Sequence, residues 1–201
     1  LNHTNTPNVQ GCVIYTYDPI KNIYNLHKDN DTAYLLSAGE GFFIASTHNA
    51  ISPSFVFSKN QLANNPYSNI PPPTSPFKPI ESDPQYMTLT TTTNNYTKEA
   101  FFLFNNTVCN GFDDKDAYVL LGSNDSIAEP YFVVEGKELA INAIKTLPYS
   151  CPMNVHSNIS DTISFRFTNI PDNTYLLMVD NNTETLMNDS SVYTTTITAG
   201  E

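Results

Sequence analysis

The sequence predicts an all-β protein, an antiparallel β-sandwich of jelly-roll or immunoglobulin-like type, built as two small β modules joined by a Pro-rich crossing. Three observations predict it. No stretch sustains the 3.6-residue apolar period of a helix. Short runs rich in aromatic and β-branched residues recur along the chain, punctuated by Asn, Asp, Pro and Gly. One run, 162–168, alternates cleanly, with Ile163, Phe165 and Phe167 on one side and Ser164, Arg166 and Thr168 on the other.

In chain order the expected strands are 12–17, 22–26, 41–46, 54–58, 86–92 and 100–104. They continue as 117–121, 131–135, 139–144, 162–168, 174–179 and 192–198. Glu135, Gly136 and Lys137 form a tight turn between two apolar runs, with Gly136 supplying the positive φ. In 139–144 both alternating sets are largely apolar, which marks a central strand buried on both faces. Asn142 inside it is expected to satisfy backbone groups.

Pro66, Pro71, Pro72, Pro73, Pro76, Pro79 and Pro84 crowd one stretch. Proline lacks the N–H that a sheet interior needs, so this stretch is a linker or a long surface crossing. The division that follows is an N-terminal β module at 1–63, a Pro-rich linker at 64–85 and a C-terminal β-sandwich at 86–201. A ligand for a proline-reading domain is the functional alternative for the linker, but such readers are mainly intracellular.

The 201 residues are 40% hydrophobic and 12% aromatic, carried by Tyr and Phe without Trp, which is enough for a packed core. Charged residues are sparse, and Asn with Thr supplies roughly a quarter of the chain. Such an uncharged polar surface suits a secreted or cell-surface protein. The net charge is −11, of which residues 66–201 carry −10, from sixteen acids against five Lys and one Arg. That balance repels phosphate backbones and anionic bilayers, so nucleic acid is excluded as a partner. No run of 18 apolar residues exists, so no membrane insertion is expected. The chain opens at Leu1 and stops in mid-pattern at Glu201, which reads as a piece of a longer exported protein.

Candidate chemistry is thin. His3, His27, His48 and His156 are scattered, with no i, i+4 pair and no C-x₂-C. Asp29, Asn30 and Asp31 open like a calcium loop, and Glu40 falls at its twelfth position. Ala33 and Tyr34 stand where a ligand and Gly are required. Asp113, Asp114 and Asp116 form a second acidic cluster that could hold a structural Ca²⁺; the alternative is a solvated loop with Asp capping turns. No cofactor is otherwise expected. Cys12, Cys109 and Cys151 are an odd set, in which Cys109 and Cys151 could pair or all three could be buried thiols. No nucleophile elbow and no singled-out carboxylate pair occurs, so no catalytic residue is assigned and no enzymatic role is expected. Carbohydrate binding through Tyr and Asn is the strongest functional competitor.

A set of motifs in the second half resembles a known family. Gly111-Phe112-Asp113 is followed by Asp116, Ala117 and Leu120. Gly136-Lys137 leads into Leu139-Ala140-Ile141-Asn142, with Glu135 preceding. Pro152-Met153-Asn154-Val155 comes next, with Asn154 in the place of a Gly. Leu177, Val179, Asp180, Asn181, Thr183, Leu186, Tyr193, Thr194 and Ala199 form a closing pattern. In this order they resemble the β-sandwich region ahead of the C-terminal sorting domain in type IX secretion cargo of Bacteroidetes. A fainter trace lies in Tyr15, Tyr17, Asp18, Pro19 and Tyr24, and in Gly39, Gly41, Phe42, Phe43 and Ile44. The resemblance implies a closing β-hairpin near the C-terminus and a non-catalytic, surface-displayed module acting as spacer, adhesin or stalk. A carbohydrate-binding module appended to an upstream enzyme is the alternative. Partners would be other surface proteins or glycans, with a homo-oligomer or filament left open. Sites of Bacteroidetes-type O-glycosylation would be Thr32, Ser126 and Thr162, each preceded by Asp. N-x-S/T sequons also occur, as at Asn105, Asn158 and Asn188.

Overall fold

Alternate burial along short segments organises the chain into strands. The computed structural model describes residues 10–28, 36, 40–47, 85–93, 96–122, 127–158 and 160–199. Among them there is no α-helix, and the architecture is an antiparallel β-sandwich. A 3-10 turn at Gln10–Cys12 leads into β1 (Ile14–Asp18), β2 (Ile23–His27) and β3 (Phe42–Phe43). These three form a small sheet in the order β2-β1-β3. Then follow β4 (Gln85–Thr92), β5 (Thr97–Phe104), β6 (Ala117–Tyr118), β7 (Glu129–Val134), β8 (Lys137–Ile144) and β9 (Met153–His156). The last strands are β10 (Asp161–Thr168), β11 (Leu176–Asp180), β12 (Thr183–Met187) and β13 (Tyr193–Ile197). The run expected at 54–58 and the prolines up to residue 84 lie outside the described residues.

The main sheet runs β13-β10-β4-β5-β8-β7-β9, with β6 also paired to β8. Its pairs are antiparallel except one: β5 and β8 run parallel, Phe101 opposite Ile141 through Phe104 opposite Ile144. A parallel pair needs a long crossover, here the segment holding β6 and β7. The sheet curls, so that Phe132 of β7 meets Phe102 of β5 with ring centroids 4.1 Å apart. The Thr91 hydroxyl of β4 donates to the Ala128 carbonyl at 2.8 Å across the same fold.

Two apolar cores result, and β5 divides them by its alternation. Ala100 and Phe102 enter the larger core with Leu89, Phe132, Ile163, Phe165 and Phe167. Phe101 and Leu103 enter the smaller one with Val13, Tyr15 of β1, and Ile141 and Ala143 of β8. Residues 139–144 are all buried, as the two-sided apolar pattern predicts. Ile163, Phe165 and Phe167 are buried while Ser164, Arg166 and Thr168 are not, which matches the alternation read in the sequence. The β11–β12 hairpin holds the first part of the expected closing pattern, Leu177 to Leu186, whereas Tyr193 and Thr194 lie on β13 and pair with β10. Leu176, Met178 and Met187 from the hairpin pack on the larger core.

The abundance of Asn has a backbone reason. Six described non-Gly residues have positive φ, and five of them are Asn: Asn22, Asn169, Asn173, Asn181 and Asn182. Asn tolerates the left-handed region because its short side chain hydrogen-bonds locally. Asn181 and Asn182 close the β11–β12 hairpin, and Glu135 with Gly136 closes β7–β8. Two positive φ values in a two-residue loop suit the right-handed twist of the strands. Gly136 thus plays its expected part, and Glu135 shares it. In the β1–β2 turn the Asp18 carboxylate accepts from the backbone N–H of Ile20 and Lys21. The Lys21 amide leads in holding that carboxyl below its ordinary range.

Gly11 docks the N-terminal segment. Its φ is +63°, and a Cβ there would stand 2.6 Å from the Ala117 Cβ. Only glycine combines that backbone with that approach. The Gly11 N–H donates to the Asp114 carbonyl at 3.0 Å.

Candidate functional site

The loop at 111–116 gathers the three acids singled out in the sequence. Asp113 Oδ2 accepts from the Cys109 N–H at 3.0 Å and its Oδ1 from the Lys115 N–H at 2.8 Å. Asp116 is fully buried; its Oδ1 accepts from the Ala143 N–H at 2.7 Å and its Oδ2 from the Asp113 N–H at 2.6 Å. The carboxamide of Gln10 donates to the carbonyls of Asp113 (2.5 Å) and Asp116 (2.8 Å). The cluster therefore ties three segments together: the N-terminal turn, the loop itself and β8. No group of three His, Cys, Asp or Glu side chains among the described residues is arranged to hold a metal ion. Burial pushes the Asp116 carboxyl up to about 7, against the two amides that stabilise its anion and with the nearby charges of Asp113 and Glu135 adding to the rise.

Asn142 supports a second polar knot. Its Nδ2 donates to the Tyr149 hydroxyl at 3.2 Å and lies 3.5 Å from Cys151 Sγ. Burial pushes the Cys151 thiol up to about 11, which keeps it protonated and poorly nucleophilic. Cys109 and Cys151 are both free thiols, Cys109 exposed and Cys151 half-buried. Thr162 is exposed on β10 opposite Thr196 of β13, and Thr32 and Ser126 lie outside the described residues. His27 contacts the Thr16 hydroxyl at 2.9 Å, and His156 sits opposite Glu129 in the β7–β9 ladder. The early Asp29-Asn30-Asp31 run and both His3 and His48 lie outside the described residues.

The feature that sequence reading did not single out is a cleft of about 340 Å³ between β2 and the start of β5. Tyr15, Tyr24 and Phe101 contribute aromatic surface to it, and Thr97, Lys98 and Glu129 polar surface. Lys98 and Glu129 form an ion pair at 3.4 Å with side chains only 16% and 7% exposed. The Lys98 ammonium also donates to the Tyr24 carbonyl at 2.7 Å. Glu129 Oε2 accepts from the Gly122 N–H at 3.0 Å, while its buried Oε1 has no hydrogen-bond donor. Tyr24 is braced by Tyr17 at 5.1 Å and Phe43 at 5.5 Å, centroid to centroid. Lys98 and Glu129 are 31 positions apart on strands joined only through the curled sheet, so no local spacing signals them.

The chain matches no known family model, no curated protein and no solved structure at a significant level.

Proposed function

We propose that this chain is a non-catalytic β-sandwich module of an exported, cell-surface-displayed protein, with a spacer, adhesin or stalk role. The resemblance to the region preceding the sorting domain of type IX cargo motivates it. One observation supports it most. The polar residues of the resembling motifs are engaged within the fold: Asp113 and Asp116 hold backbone amides, Asn142 holds Tyr149, and Gly136 makes a hairpin turn. Residues engaged in this way position strands and turns, as a structural module requires.

The test is location. Intact cells of the source organism are treated with a protease and then probed with antibody to this chain. Surface display predicts loss of the signal without lysis, and loss of surface signal when the type IX machinery is deleted. Signal protected until lysis would refute the proposal.

A carbohydrate-binding module is the second reading, favoured by the aromatic cleft between β2 and β5. Screening against a glycan array checks it.

A further inference from the structure

We infer that the cleft between β2 and the start of β5 is a binding site for a neutral, hydroxyl-rich ligand, the end of a saccharide chain. The inference rests on the carbohydrate-binding reading and names its site and ligand chemistry. A volume of about 340 Å³ falls at the lower end of small-molecule sites, suited to a chain end. The polar part is rigid. Lys98 is held by the Tyr24 carbonyl and by Glu129, which is itself held by the Gly122 amide. An ammonium has three N–H donors; the Tyr24 carbonyl takes one and the Glu129 contact is an ion pair without a hydrogen bond, so donor capacity is left for a ligand oxygen. A buried ion pair is weak evidence for stability, since apolar residues of similar volume often serve as well or better. Its place on the wall of a cleft fits a role in orienting a ligand.

The chemistry of the walls selects among ligand classes. Glu129 offsets the charge of Lys98, Glu99 adds another carboxylate at the rim, and the whole chain carries −11, so an anionic ligand is disfavoured. An apolar ligand would desolvate the ion pair without replacing its contacts. A peptide strand added along β2 would need the Tyr24 carbonyl, which Lys98 already occupies. A neutral sugar meets both surfaces: a C–H face against the half-buried Tyr24 ring, hydroxyls against Lys98 and Thr97.

The experiment screens the wild-type chain on an array of neutral and acidic glycans. The best neutral hit and its uronic-acid counterpart are then titrated while amide chemical shifts are followed. The expected result is binding of the neutral glycan, shifts centred on Tyr24, Thr97 and Lys98, and weaker binding of the acidic counterpart. Thr97→Trp, placed at the exposed rim to fill the cleft, should weaken binding by at least about tenfold. Tyr175→Ala, at a residue 88% exposed and outside the cleft lining, should leave it unchanged. If no glycan binds the wild type, the carbohydrate reading falls and the site with it. If a glycan binds but the shifts map elsewhere, the carbohydrate reading stands and the cleft assignment is overturned. Tighter binding of the uronic acid would overturn the neutral-ligand assignment. Because shift mapping uses the wild-type chain, the outcome does not depend on how well Thr97→Trp folds.

Discussion

Replacing Asp116 by Ala is expected to remove a large share of the chain's folding stability. The substitution strips the acceptors from two backbone amides, those of Ala143 and Asp113. A buried donor left without a partner costs about 1–3 kcal/mol, so the pair costs roughly 2–6 kcal/mol. A domain of ordinary stability holds only about 5–15 kcal/mol in reserve. Urea denaturation read by circular dichroism measures the loss.

The same residue gives stability a pH dependence of definite sign. Burial raises the folded carboxyl from 3.8 to about 7. Between those values the folded chain binds a proton that the unfolded chain has released. Stability from this group therefore falls as pH rises from about 4 to about 7 and levels off above, with a limiting slope of about 1.4 kcal/mol per pH unit. Asp116→Asn removes the titration while keeping one acceptor oxygen. It should be less damaging than Asp116→Ala and should flatten the slope in that window.

Phe132→Ala is the second large expected effect. Phe132 is 1% exposed and packs its ring on Phe102, where the sheet curls back on itself. Removing a buried ring with little room for collapse costs about 3–5 kcal/mol. Phe102 should share part of that loss, because the aromatic pair itself contributes about 0.5–1.5 kcal/mol beyond burial. A double-mutant cycle of Phe132→Ala and Phe102→Ala measured by denaturation gives that coupling directly. Additive costs would show that the two rings do not support each other.

Much of the fold was legible because burial leaves a period-two trace. The runs at 162–168 and 139–144 announce one half-buried and one fully buried strand, and both are found. The strand β9 carries little such trace: three of its four residues are half-buried and the fourth is exposed, so its apolar pattern is blurred. In β12 only Met187 is buried, and the strand is recognisable chiefly through the closing motif and its Asn181-Asn182 turn. The parallel pairing of β5 with β8 has no local signature, because it depends on where a long crossover returns.

The polar centres divide in the same way. The acidic loop was visible as a cluster, and the reading of Asp as turn caps describes the Asp113 carboxylate, which accepts from the nearby Lys115 amide. Its reach to β8 through Asp116 and to the N-terminal turn through Gln10 is a tertiary property. The first strand and the residue before it share a core with β5 and β8 through Tyr15 and Val13, a contact that the intervening prolines conceal in the sequence. The cleft is hidden for a similar reason. Its lysine and glutamate acquire meaning only when the curl of the sheet brings β5 and β7 together across β8.

Native-state amide exchange at Ala143 is the sharpest check on the framework role given to the motif residues. Its N–H is bonded to a buried carboxylate on a strand whose side chains enter both cores. It should therefore exchange only when the whole chain unfolds, with the free energy found by denaturation. Exchange at the faster pace of the outlying β11–β12 hairpin would mean that Asp116 does not anchor β8.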